Sequence, residues 1–194
     1  MKHTTTEPPE EDDALLMQRA GGGDQAAFDT LVRRHQRPLL NFFLRLGVEG
    51  DAEDLVQQTF VRLYRYRDRY RPTAKLTTFL YILARQVRVD ELRKQQRRRR
   101  LHDSAVEQAE IEASAAAPTG VGTGGLTDEL QQALGSLSQR HRDVVTLGVL
   151  QELEYVEIAK ILKIPVGTVK SRMFTAMRQL RRHLEDAREP KDHE

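Results

Sequence analysis

Six basic residues and no acid lie between Lys163 and Arg182: Lys163, Lys170, Arg172, Arg178, Arg181 and Arg182. The chemistry such a stretch can do is electrostatic, because Lys and Arg pair with phosphate oxygens and Arg also reads guanine edges through two parallel hydrogen bonds. Val169, Met173, Ala176, Met177 and Leu180 recur among them at i, i+4, i+7, i+8 and i+11, the period of a helix with one buried face. With Val169 and Ala176 turned inward, Lys170, Ser171, Phe174, Thr175 and Arg178 fall on the outer side. Lys170 and Arg178 suit phosphates or guanine, Ser171 and Thr175 bond to either, and an outward Phe174 suits a thymine methyl. The bland alternative is a packing helix with Phe174 in a crevice. The basic and hydroxyl residues around that ring argue against it.

A second tract has different chemistry. From Arg62 to Arg100 there are fourteen Lys or Arg against Asp68, Asp90 and Glu91, a net of +11. Arg71, Lys75 and Arg93 belong to it, interleaved with Tyr64, Tyr66, Tyr70, Phe79 and Tyr81. Cations alternating with aromatics are what unpaired bases require, since each base offers a π-face and each nucleotide a phosphate. One tract therefore predicts a grip on duplex and the other a grip on opened strand.

The overall charge of +2 over 194 residues hides this segregation. Residues 1–13 carry a net of −4, and residues 103–129 hold six acids with no Lys or Arg, a net of −6. Blocks of one sign set up fields that attract a partner of the other, and nucleic acid is the partner favoured by two basic blocks. With no cysteine, disulfides, thiolate zinc sites and thiol redox chemistry are excluded. No apolar run approaches the ~18 residues of a membrane span and no secretory signal opens the chain, so a cytoplasmic location is expected.

Helices must position these residues, because helical periodicity is everywhere and alternating β-branched runs are absent. The expected fold is all-α: two small helical domains joined by a flexible linker, the C-terminal one containing a helix-turn-helix. A first helix is predicted from about Asp12 to Ala20, broken at Gly21-Gly22-Gly23, with Asp24 capping the next. That helix should end before Pro38, where a new apolar helix through Leu39, Phe42, Phe43 and Leu46 begins. Asp51 is the expected N-cap of a helix buried along Val56, Phe60 and Leu63, with Asp54 completing a variant capping box. Pro72 makes 68–76 a loop. Beyond it runs a long helix, apolar at Phe79, Leu80, Leu83, Val87 and Leu92. The segment ASAAAPTGVGTGG lacks anything that builds a core and is read as linker. EYVEIAKIL, inward at Val156, Ala159 and Leu162, then the turn KIP, then the basic helix from Val166, make the helix-turn-helix. The resulting map is an acidic disordered tail over 1–11, a domain over 12–100, a linker over 101–126, a domain over 127–186 and a tail over 187–194.

Duplex binding beside capture of unpaired bases, in this order along one chain, resembles the bacterial RNA polymerase sigma factors of the extracytoplasmic-function (ECF) group. DAEDLVQQTFVRLYR is similar to that family's core-polymerase-binding helix. YRPTAKLTTFLYILARQVRVDELRK is similar to the element that reads and melts the promoter −10 box, and EYVEIAKILKIPVGTVKSRMFTAMRQLRR to the −35-reading helix-turn-helix. The resemblance implies that 12–100 is sigma region 2 and 127–186 sigma region 4. It places Asp54, Gln57, Gln58 and Phe60 at the polymerase. It places Tyr70, Arg71, Lys75, Phe79, Gln86, Asp90 and Arg93 at the −10 element, with the 68–76 loop around a base flipped from the non-template strand. It places Thr168, Lys170, Ser171, Arg172, Phe174, Thr175 and Arg178 at the −35 element. The implied partners are core RNA polymerase, promoter DNA and an inhibitory anti-sigma factor, often membrane-anchored, wedged between the two domains. No cofactor, metal or small-molecule substrate is implied. The chain departs from the family's pattern where Asn is common (Gln86), where Trp is common (Phe79) and where a basic residue is frequent (Thr175). Those departures concern the promoter words rather than the class.

Linker length fits. Extended at about 3.3 Å per residue, 101–126 reaches roughly 85 Å, and boxes about 25 base pairs apart lie about 85 Å apart. Its acids are expected to thread a basic channel of the polymerase in imitation of nucleic acid. Three rival readings are weaker or discriminable. An enzyme is disfavoured: GVGTGG has no preceding strand and no following Lys-Ser/Thr, and the six His show no ligand spacing. Asp51, Glu53 and Asp54 are explained by the helix macrodipole. A dimeric helix-turn-helix regulator would act without core polymerase, and a polymerase adaptor would ignore promoter sequence.

Overall fold

The computed structural model describes residues 12–48, 50–106 and 128–188. Among these residues the regular structure is entirely helical, and no helix is long and apolar enough to cross a membrane. The expected tail over 1–11 and most of the expected linker lie outside the described residues.

Four helices make the N-terminal bundle: α1 (Asp13–Gly21), α2 (Gln25–Arg45), α3 (Ala52–Tyr66) and α4 (Leu76–Val106). Asp12 and Asp24 cap α1 and α2 by accepting from the Ala14 and Ala27 N–H groups, as N-cap carboxylates should. Leu16, Met17, Leu31, Leu39, Phe43, Leu55, Leu63, Leu80 and Val87 are fully buried where the four helices meet. At Gly21, α1 passes so close to the 3₁₀ turn Arg67–Arg69 that an added Cβ would sit 2.9 Å from the Arg67 carbonyl oxygen.

Three expectations need correction here. Pro38 does not start a new helix; α2 runs unbroken through it. Proline in a helix interior removes one backbone hydrogen bond and costs ~3 kcal/mol. Leu31, His35, Leu39, Phe42 and Phe43 share a continuous buried face across it, and that burial exceeds the cost. Asp51 occupies the N-cap position of α3 but makes no side-chain cap bond, and its backbone (φ −103°, ψ 6°) is not the extended conformation that aims a carboxylate at the first turn. The last helix of the bundle continues to Val106, past the expected linker start, and Leu92 is exposed rather than buried because α4 there has outrun the bundle.

The C-terminal bundle comprises α5 (Asp128–Ser136), α6 (Gln139–Val145), a π-helical turn (Thr146–Leu150), α7 (Tyr155–Leu162) and α8 (Val166–Arg188). Arg142 ties α5 to α6 by donating to the carbonyls of Leu134, Gly135 and Leu137 at the end of α5, where helical acceptors lack the next turn. Val169, Met173, Ala176 and Leu180 of α8 are buried, as their spacing predicts, whereas Met177, expected on the same face, is 45% exposed. The inward face of α7 was expected at Val156, Ala159 and Leu162. Val156 is instead 51% exposed, and Glu157, Ile158 and Ile161 are buried. The expected stripe presumed one packing partner, whereas α7 has two: α8 on one side and α4 of the other bundle on the other.

Candidate nucleic-acid interface

The helix-turn-helix is made by α7, the turn Lys163–Pro165 and α8. Glu154 and Glu157 form a reciprocal capping box at the start of α7, with the Glu157 carboxylate accepting from the Glu154 N–H at 2.9 Å. The helix stops because Lys163 is left-handed (φ 56°, ψ 47°) while its N–H still closes on the Ala159 carbonyl. Pro165 then offers its carbonyl to the N–H groups of Thr168 and Val169, starting α8 at the next residue. This sharp reversal sets α8 across α7 with one face free.

On that face Lys170, Ser171, Phe174 and Arg178 are exposed, and Thr168, Arg172 and Thr175 are half-buried. Phe174 is 70% exposed, the most exposed of the large hydrophobic side chains described. The phenyl ring stands in water between Lys170 and Arg178, an apolar spot on a cationic face. Ser171 is partly committed, since its hydroxyl donates to the Thr168 carbonyl at 3.1 Å.

The N-terminal bundle presents a second cationic face. Gln86, Asp90 and Arg93 stand one turn apart on the outer side of α4, all exposed, and Asp90 pairs with Arg62 of α3 at 2.8 Å. Asp90, Arg93, Gln96, Arg97 and Arg100 line a shallow cleft of about 460 Å³. Arg71 is exposed, and Lys75 holds Glu157 at 3.3 Å and Glu154 at 3.7 Å. Those two carboxylates raise the Lys75 pKa, through the Glu157 hydrogen bond above all. Phe79 is half-buried against Tyr66 and Tyr70, with ring centroids 4.9 and 6.3 Å away.

One expected surface residue is not at the surface. Tyr70 is 6% exposed, and its hydroxyl is buried with no hydrogen-bond partner in the protein. It supports Phe79 from below instead of facing a base. Phe60, placed on or beside the polymerase face, is 7% exposed on the buried stripe expected of α3, while Asp54, Gln57 and Gln58 line the open side of that helix. The same open side carries exposed Val61 and Tyr64, which the periodicity of α3 places beside Gln57 and Gln58. The sequence reading did not assign these two to the polymerase face. The signal was available in their spacing from Gln57.

Sequence reasoning also missed the contacts joining the two bundles. The Thr78 hydroxyl of α4 donates to Glu157 of α7 at 3.1 Å, and the Tyr81 hydroxyl donates to Gln151. Arg45 donates to the Leu150 carbonyl at 3.3 Å, and Arg88 stands 3.6 Å from Asp143 of α6. Burial alone would raise the Glu157 pKa, but the Glu154 N–H, Lys75 and Thr78 outweigh it and the carboxyl titrates below its ordinary range. At Asp143 burial prevails over Gln139, Arg88, Arg85 and Arg142, and the pKa is raised.

Comparison with known proteins agrees with this arrangement. The family described as Sigma-70 region 2 matches residues 31–98, and Sigma-70, region 4 matches residues 133–182. The chain is similar to the ECF RNA polymerase sigma-E factor of Escherichia coli strain K12, 36% identical over 160 residues that cover 79% of this chain and 84% of that protein. It is similar to the ECF RNA polymerase sigma factor SigW of Bacillus subtilis strain 168, 32% identical over 171 residues, 84% of this chain and 91% of that one. Among solved structures, CnrH in complex with the cytosolic domain of CnrY aligns with a TM-score of 0.66 and 26% identity, over 92% of this chain and 99% of that one. The sigma factor RpoE in complex with the anti-sigma factor NepR, from Bartonella quintana, aligns with a TM-score of 0.62 and 26% identity, over 81% and 96%.

Proposed function

From the premise that the chain belongs to the ECF sigma factors of the sigma-70 family, we propose that it binds core RNA polymerase and grips a promoter at two places, one closed and one opened. It is a transcription initiation factor that supplies recognition, not catalysis. Region 4, over 127–186, reads the −35 box as duplex: α8 enters the major groove with Lys170, Arg172 and Arg178 on phosphates or guanines and Phe174 on a thymine methyl. Thr168, Ser171 and Thr175 add hydroxyl contacts. Region 2, over 12–100, opens the −10 box: the 68–76 loop with Lys75, Arg71 and Phe79 receives a flipped non-template base, and Gln86, Asp90 and Arg93 line its approach. Unstacking one base costs a few kcal/mol, which the pocket contacts offset. The open side of α3, with Asp54, Gln57 and Gln58, docks on the polymerase.

An inhibitory anti-sigma partner belongs to this reading, supported by the solved relative RpoE, which is bound to the anti-sigma factor NepR. The single observation that carries the promoter assignment is the exposed Phe174 between Lys170 and Arg178. Run-off transcription with core polymerase on randomised promoters tests it, combined with permanganate footprinting. The expected result is a defined promoter with reactive thymines upstream of the start site. Binding to a symmetric half-site pair without core polymerase would replace this reading with that of a dimeric regulator.

A further inference from the structure

The ring proposed to meet a flipped base is not held by its own helix alone. Phe79 is half-buried against two tyrosines, Tyr66 at 4.9 Å and Tyr70 at 6.3 Å between ring centroids. Tyr66 is 41% exposed, whereas Tyr70 is 6% exposed and lies beneath the ring. Both separations fall in the range where tilted aromatic pairs attract, so displacing Tyr70 displaces Phe79 or forfeits the contact.

Tyr70 is in turn set by α1. The turn Arg67–Arg69 passes the end of α1 so closely that a Cβ on Gly21 would lie 2.9 Å from the Arg67 carbonyl oxygen and 3.9 Å from the Asp68 Cα. The Tyr70 N–H donates to that same carbonyl at 3.2 Å. Asp12 and Asp13, at the start of α1, stand near enough to Tyr70 for their charges to add to burial in raising its pKa. Residues 67–70 therefore run along α1 from its last turn to its first. The helix has nine residues, too few to persist without tertiary support, and it is pinned to α2 at both ends. Asp13 accepts from Arg34 and lies 2.6 Å from the His35 Nε2. Arg19 donates to Asp24, the cap of α2, at 2.6 Å. The Asp13 side chain is 17% exposed, and removing its charge leaves enclosed partners without compensation, so the clamp fixes geometry more than it adds net attraction.

We propose that α1 is a positioning strut for base capture: Asp13 clamps it to α2, and α1 sets Tyr70, and with it the Phe79 ring, at the height where a flipped base is met. The inference rests on the base-capture reading above and adds to it Asp13, a positioning residue that lies outside the pocket. A misplacement of about 1 Å can cost on the order of 10²-fold in a step that depends on geometry, so a slight tilt of α1 is enough to blunt the choice of base. The Tyr70 hydroxyl takes no part, since it is buried without a hydrogen-bond partner in the protein and the ring alone makes the contact.

The test uses holoenzyme on the strongest promoter recovered from the randomised set, in four versions that differ in the base at its most discriminating −10 position. Initiation by the parent should favour one base. Asp13→Asn keeps the side-chain size, removes the charge, and should lower that preference by roughly 5- to 10-fold while the salt dependence of promoter binding stays as in the parent. Phe43→Leu serves as the control: it loosens the buried core two turns beyond His35 on α2 and should lower the melting temperature without changing the preference. Tyr70→Phe keeps the ring and should keep the preference. Should Asp13→Asn lose its helical circular dichroism, Arg19→Gln replaces it, freeing the other end of α1 at a pair more open to solvent. A preference that survives loosening of α1 overturns the strut. So does an equal fall with Phe43→Leu, which would make the effect one of stability, or a loss with Tyr70→Phe, which would take the ring out of the route. A parent that favours no base at any −10 position and leaves no thymine reactive to permanganate strikes base capture itself, and the strut with it.

Discussion

At the scale of single residues, the outward face of α8 and the inward face of α1 make opposite demands. Lys170 is exposed and carries no ion pair among the contacts described for it, so its charge is free to displace a counterion from DNA. Lys170→Gln should weaken promoter binding by the assembled holoenzyme and lower the slope of log K against log salt by about 0.9, the contribution of one phosphate contact. An unchanged slope in a salt titration would remove Lys170 from the interface. Gly21 is constrained by space: its would-be Cβ meets backbone, not a yielding side chain. Gly21→Ala should therefore destabilise the N-terminal bundle by about 1–3 kcal/mol in denaturant unfolding, although alanine is ordinarily the better helix former. The residues that sequence placed well are those whose type and neighbours agree, such as Phe174 among cations. Tyr70 was misplaced because an aromatic in a basic tract serves equally as a stacking platform or as the support under one, and composition does not separate the two.

At the scale of elements, the helices were largely legible because caps and periodicity coincide, as Asp24 and the buried stripe of α8 show. Pro38 and α7 were not, because each depends on a neighbour the local sequence does not contain. A proline is tolerated where both flanking turns bury one face, and a glutamate turns inward where a second bundle supplies Thr78 and Lys75. The buried Glu157 has a measurable consequence. Its folded pKa lies below the ordinary 4.5, so its stabilising contribution is complete above pH 4.5 and is lost as pH falls through the lowered value. Asp13, half-buried against His35 and Arg34, has a lowered pKa and adds a loss of the same sign below 3.8. Asp143 acts in the opposite sense: its raised pKa means acidification relieves a buried charge, which partly offsets the others as pH approaches 4. The melting temperature should hold steady from neutral pH to about 5 and drop below 4.5, and Glu157→Gln should flatten the first part of that drop. A Glu157→Gln profile superimposed on the parent would mean that the carboxylate is not held in solution as described.

At the scale of the whole molecule, the question is whether two bundles behave as two proteins or one. The C-terminal bundle spans residues 128–188, and units of about 60 residues bury too little surface to be more than marginally stable alone. Its α7 packs on two sides, and Glu157 adds to its own capping N–H the Thr78 hydroxyl and Lys75 of α4. Docking therefore completes the smaller bundle as well as restraining it, and the coupling should be visible thermally. The parent chain should unfold in one calorimetric transition whose van't Hoff and calorimetric enthalpies agree. Asp143→Arg leaves Arg88 enclosed beside like charge, a loss of about 2 kcal/mol to the interface, which in a unit this small corresponds to a fall of about 10 °C in Tm. The C-terminal transition should then separate below that of the N-terminal bundle, which keeps its own buried core of Leu16, Leu31, Phe43, Leu63 and Leu80. Two resolved transitions already present in the parent would show that the bundles are independent in solution.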